Sequence, residues 1–170
     1  NAVLAVTGNI TLDETRRLAE KWFGPIPRRI VAPRTYAPEP EQTEARRIVV
    51  TGNVPQTLVV ISYPMPSCTN PDYPVCDIIT DLLAAGRTSR YYRRLVMESG
   101  LFSSADASIT GSEEPGQLLL QGMLRDGVSV DEACNALVDV ARSLIVNPPD
   151  DHELQSALNR FETQQVMSNI

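Results

Sequence analysis

His152 is the only histidine of the chain, and it sits in the acidic run Asp150-Asp151-His152-Glu153. A hydrolytic zinc centre draws on two or three imidazoles plus a carboxylate, with a glutamate to activate water. Neither HExxH nor its inverse, HxxEH, can be written around this residue. In a first helical turn beside acidic neighbours it reads as a solvated surface histidine. No metal ligand and no cofactor are expected in this chain. Serine–histidine or cysteine–histidine catalysis fails on the same count unless His152 is the base. Ser67-Cys68 and Ser103-Ser104 also lack the GxSxG context of an activated hydroxyl. No GxxxxGK[ST] loop or GxGxxG cluster is present, so nucleotide phosphates have no cradle. The pairs Glu113-Glu114 and Asp150-Asp151 fall in a turn and a helix start, where adjacent acids are ordinary solvated surface. These residues assemble no catalytic site of their own.

A different chemistry is open to the stretch Gly86 to Phe102, which gathers Arg87, Arg90, Arg93 and Arg94. Gly86 can end one helix in the left-handed conformation, Thr88 or Ser89 can cap the next, and Gly100 can stop it. Spacings of three and four place Arg90, Arg93 and Arg94 on one helical face, with Arg87 near its start. One reading is a solvated amphipathic helix whose tyrosines, Leu95 and Val96 turn inward while the arginines meet water or nearby acids. The other is a cationic wall that engages peptide carboxylates, carbonyls or a partner domain, a task suited to guanidinium groups.

The chain that must position these residues has 170 amino acids, 42% hydrophobic and 21% charged, enough for one substantial core. A formal net charge of −6 argues against nonspecific binding to nucleic acid or anionic membranes. Cys68, Cys76 and Cys134 are odd in number and form no CxxC pair, so neither a disulfide framework nor a cysteine zinc site is expected. Cys76 and Cys134 suit apolar helix faces. No apolar run reaches the roughly 20 residues of a membrane span, and no signal peptide opens the chain. An apolar start without methionine suggests an excerpt of a longer protein, with no compartment legible.

Taken in order, residues 2–7 (AVLAVT) read as a buried strand. Thr11 and Glu14 form a capping box for a helix that Gly24, Pro25 and Pro27 stop. A proline-rich connector follows at about 28–44, within a single domain over 1–170. Residues 46–51 and 57–63 are β-branched runs able to pair as a hairpin, with Pro64 closing the second. A helix is expected from Pro74, bearing Val75, Ile78, Ile79, Leu82 and Leu83. Strands are expected at 101–110 and 117–124, a helix capped by Ser129 with Glu132, and a last helix opened by Asp150 with Glu153. The order β-α-ββ-αα-ββ-αα predicts an α+β sandwich: a largely antiparallel sheet of about five strands with helices packed on one face.

Four blocks give the chain a family resemblance. The run 4–8 with the helix ending Ala19-Glu20-Lys21-Trp22-Phe23-Gly24-Pro25-Ile26-Pro27 is similar to a strand, "GD/N", helix and "YFG-x-IP" pattern. Gln56 to Tyr63 resembles "Q-x-x-x-x-x-x-Y/F", and Leu82 to Val96 resembles "LL-x-x-G-x-x-SRLY-x-x-L". Gly100-Leu101-Phe102-Ser103-Ser104 stands where "GLAYSV" is usual. In this order and spacing they resemble the pitrilysin/insulinase-type zinc metallopeptidases, which include the mitochondrial processing peptidases. The match is to their inactive domain, which comes after the zinc-binding one.

The resemblance implies repeated α+β domains, one holding zinc through HxxEH and a distal glutamate, its sister forming the opposite wall of a peptide chamber. This chain matches the sister. Its partners would be the catalytic zinc domain, in the same or another chain, and an unfolded peptide substrate. Many relatives carry an arginine and a tyrosine in "RExxGLAY" that contact substrate in one half of the active enzymes. The matching positions here are Val96 and Ser103, so no substrate-contacting role passes to either. Gly86, Ser89 and Gly100 are expected as structural motif residues, and Arg87, Arg90, Arg93 and Arg94 as a peptide- or domain-contacting wall. The leading expectation is a non-catalytic, chamber-forming domain of a zinc endopeptidase. The alternatives are a scaffold subunit of a parent with no active site, and a binding domain of unrelated ancestry.

Overall fold

In the computed structural model, which describes residues 3–30, 37, 40 and 42–168, Thr11 opens the first helix. Its side chain accepts the Glu14 N–H at 3.2 Å, and α1 (Leu12–Phe23) runs on until Gly24 and Pro25 end it. Gly24 keeps helical angles and donates its N–H to the Glu20 carbonyl, and the helix stops at Pro25 because proline has no N–H to continue the ladder. Lys21 lies over the Trp22 ring, 4.9 Å from its centroid. The described residues of 3–7 are exposed and form no strand, contrary to the expected buried one; Ala2 lies outside the described residues, as do parts of the connector. The chain divides at Val50 into two units, Asn1–Val50 and Thr51–Ile170.

The second unit holds a three-stranded antiparallel sheet in the order β1-β3-β2, made of β1 (Leu58–Met65), β2 (Phe102–Ile109) and β3 (Gly116–Leu124). The sheet has three strands where about five were expected. Residues 46–51 form no strand, and Ile48, Val49 and Val50 stay 86%, 78% and 87% exposed. β-Branched residues favour a pleated, half-buried surface, and without a partner strand that preference produces nothing. β1 instead pairs with β3, far away in sequence, from Leu58↔Met123 to Met65↔Gly116. It also runs through Pro64 rather than stopping there. β1 is an edge strand, where a missing N–H is tolerated.

Alternation separates the two faces of the sheet. Val59 and Met65 of β1, Phe102 and Ala107 of β2, and Leu120 and Leu124 of β3 are buried. Most of them join one core with Leu83, Tyr91, Leu95, Ala133, Leu137 and Val140 from the helices. The helices therefore cover one face, as the α+β reading requires. Gly122 is required here: a Cβ at this position would collide with the fully buried Phe102 ring.

Helix α2 (Tyr73–Ala84) carries Pro74 in its first turn and buries Leu82 and Leu83, whereas Val75 stays exposed. Helix α3 (Val130–Val146) starts at Ser129, whose backbone is in cap geometry but whose side chain makes no capping bond. Asp150 does cap α4 (Asp151–Ser168), accepting the Glu153 N–H at 2.7 Å.

Candidate functional site

The stretch from Gly86 to Phe102 folds from its own local signals. Gly86 and Gly100 both take left-handed conformations, φ +81° and +65°, which glycine adopts without a Cβ penalty. Ser89 is buried and its hydroxyl accepts the Tyr92 N–H at 3.4 Å, so the expected cap forms. Beyond this cap only Arg90 and Tyr91 of the stretch are α-helical. Tyr92–Glu98 is a π-helix, closed by Ser99 N–H to the Arg94 carbonyl at 3.0 Å. The wider turn abolishes the simple spacing rule by which three arginines shared a face.

The four arginines accordingly meet different surroundings. Arg87 and Arg93 are exposed and Arg94 is half-buried. Arg90 is only 8% exposed and grips the α3–α4 turn. Its Nε and NH2 donate to Glu153 Oε1 and Oε2 at 2.9 and 2.8 Å, and NH1 donates to the Asn147 carbonyl at 2.9 Å and Ser143 Oγ at 3.3 Å. This two-pronged bond holds the Glu153 carboxyl below the ordinary carboxylate range, against a smaller upward push from burial. It also raises Arg90. Next along the chain, the Tyr91 hydroxyl donates to the Leu137 carbonyl at 3.0 Å, and burial pushes this phenol well above its usual value.

Val96 is half-buried against the core, and Ser103 is the extra residue where the β2–β3 register shifts between Phe102 and Ser104. A bulge re-aims a side chain. Here the Ser103 hydroxyl donates to Gln56 Oε1 at 3.1 Å and reaches the Met123 carbonyl at 3.3 Å. Sequence reasoning missed this pair, although Gln56 opens one of the four motif blocks.

His152 is exposed. Among the described residues no group of three or more histidine, cysteine, aspartate or glutamate side chains could hold a metal ion. The three cysteines are free. The donor set of the described residues does not fit a zinc centre. Among the described residues, no helix is long and apolar enough to cross a membrane.

Residues 1–161 match the family described as the peptidase M16 inactive domain. Among solved structures, the fold is similar to that of a protease from Helicobacter pylori, with a TM-score of 0.81 at 20% identity over 94% of this chain and 40% of that one. It is also similar to a candidate zinc protease from Bordetella pertussis Tohama I, with TM-score 0.59 and 28% identity over 65% of this chain and 62% of that one. The inactive peptidase domain of a candidate zinc protease from Bordetella parapertussis gives TM-score 0.59 and 26% identity over 68% and 63%. The chain thus spans less than two thirds of the length of each of these three. No curated protein matches it significantly.

Proposed function

This chain belongs to the peptidase M16 inactive-domain family, and on that premise we propose that it is the non-catalytic, chamber-forming and peptide-binding domain of a zinc metalloendopeptidase. The zinc would sit in a separate domain that this chain does not contain. The observation that carries the reading is the family match, which runs across both structural units. That span also supports one domain with an internal connector. The sequence has one histidine and no HxxEH motif, which is what the reading asks of the non-catalytic domain.

In this reading the helices form the outer wall, and the uncovered side of the sheet faces the peptide. Arg87, Arg93 and Arg94 lie on the helical side, available to a partner domain, while Arg90 fastens the element that carries them. Gly86, Ser89 and Gly100 set where that element starts and stops. The test is to purify this chain alone and together with its zinc-bearing domain. Only the pair should bind zinc stoichiometrically and cleave an unfolded peptide. Tight zinc and cleavage by this chain alone would sink the proposal.

A second reading, a scaffold in a parent with no active site, is favoured by Val96 and Ser103 standing where many relatives carry arginine and tyrosine. An HxxEH motif in the preceding domain of the parent contradicts it.

A further inference from the structure

Within the second unit, the face of the sheet that the helices leave uncovered has a composition of its own. Across the strands, register places Leu58, Met123 and Ser104 in one row, Val60, Gln121 and Asp106 in the next, and Ser62, Leu119 and Ser108 in a third. Leu58, Val60 and Met123 are 53%, 50% and 44% exposed. Cross-strand neighbours on one face lie ~5 Å apart, so Asp106 stands at the side of an apolar strip. One oxygen, Oδ2, accepts the Gln121 side-chain N–H at 3.1 Å.

This face has no cation of its own. From Thr51 to Gly86, and again from Leu95 to Leu124, the chain contains no lysine, arginine or histidine. The same segments carry Asp72, Asp77, Asp81, Glu98, Asp106, Glu113 and Glu114. The next cation, Arg125, stands just past the end of β3, where its Nε donates to the Phe102 carbonyl at 3.2 Å.

Covering this strip removes water from the Asp106 carboxylate, and a buried charge without a partner is strongly unfavourable. An occupant that is wholly apolar or acidic meets that penalty; one that brings a cation removes it. A second copy of this chain, docked by the same face, would add another carboxylate and no cation, so charge disfavours self-association. We propose that the uncovered sheet face selects extended peptide segments that combine apolar side chains with a lysine or arginine, and that Asp106 is the residue that reads the positive charge. The inference rests on the peptide-binding role proposed above and adds the substrate class to it.

The experiment uses the full parent protein with its zinc-bearing domain and two fluorescein-labelled ten-residue peptides, identical except for arginine or glutamine at one central position among apolar residues. Binding is read by fluorescence anisotropy on wild type, Asp106→Asn and Val60→Arg. The expected result is about fivefold tighter binding of the arginine peptide to wild type, the scale of one partly exposed ion pair. Raised salt should shrink that preference. In Asp106→Asn, which keeps the Gln121 hydrogen bond, the preference disappears while the glutamine peptide binds as before. Val60→Arg weakens both peptides, and the arginine one more. Binding of both peptides without an arginine preference, or with one that survives Asp106→Asn, overturns the assignment and leaves the peptide-binding role standing. Failure of both peptides to bind overturns that role and the assignment with it. Self-association of wild type that Val60→Arg abolishes gives the face to a second copy and also overturns the proposal.

Discussion

Arg90 and Glu153, sixty-three residues apart, meet through two parallel hydrogen bonds of 2.9 and 2.8 Å. The same guanidinium holds the Asn147 carbonyl, so one side chain secures both the start of α4 and the turn before it. A planar fork matches a carboxylate in a way that a lysine ammonium does not.

Removing that fork should be costly. Arg90→Met leaves Glu153 unpaired and is expected to destabilise by ~1–3 kcal/mol, less than a fully buried pair because Glu153 keeps 31% of its side chain exposed. Arg90→Lys should recover only part of the loss. Urea unfolding midpoints measure both, and a midpoint unchanged in Arg90→Met would remove the pair from the account of stability.

The carboxylates give a signed pH dependence. Glu153 has a lowered folded pKa, set first by its bond from Arg90, so its stabilisation is present above the unfolded carboxylate value and is lost as pH falls through the folded one. Glu153→Gln should flatten the acid side of the stability profile. Asp77 is shifted the other way by burial: its neutral form is preferred, and stability is lost as pH rises through its raised value. Asp77→Asn should therefore raise the unfolding midpoint at pH 7 and leave it nearly unchanged at pH 3. Equal effects at both values contradict the linkage.

Gly122 and Phe102 form a size-matched pair across β3 and β2. Gly122→Ala drives a methyl into a ring with no exposed surface, and ~1–3 kcal/mol of stability should be lost. Phe102→Leu alone is also destabilising, but the double substitution should cost less than the sum of the two. Strict additivity in a double-mutant cycle would show that the two positions do not touch.

The exposed arginines test the helical wall apart from the fold. Arg87→Gln with Arg93→Gln should change stability by less than ~0.5 kcal/mol, as surface substitutions do. Affinity for the separately expressed zinc-bearing domain should fall about tenfold and lose much of its salt dependence. Unaltered affinity in calorimetry would take both residues out of that interface.

Local signals were legible wherever the interacting groups are neighbours in sequence. Thr11 with Glu14, Asp150 with Glu153, Pro74, Gly86, Ser89 and Gly100 each act within a few residues, and each was readable. The hairpin of β2 and β3 belongs to the same class. The Ser129 cap went wrong within that range, because its backbone took the cap geometry while its hydroxyl did not.

The sequence by itself determined the α+β class, the helix ends, the lack of a zinc-binding histidine set and, through its motif blocks, the family. Only the tertiary structure decided that β1 pairs with β3, that residues 46–51 form no strand, that the arginine segment winds as a π-helix, and that Arg90 turns inward while Arg87 and Arg93 do not. Helix caps and stops are fixed by bonds a few residues long. Strand pairing and the burial of a long charged side chain depend on surfaces that come together only when distant segments pack. Asp106 belongs to this second group: in the sequence it is one acid among many, and on the sheet it is the carboxylate beside an apolar strip.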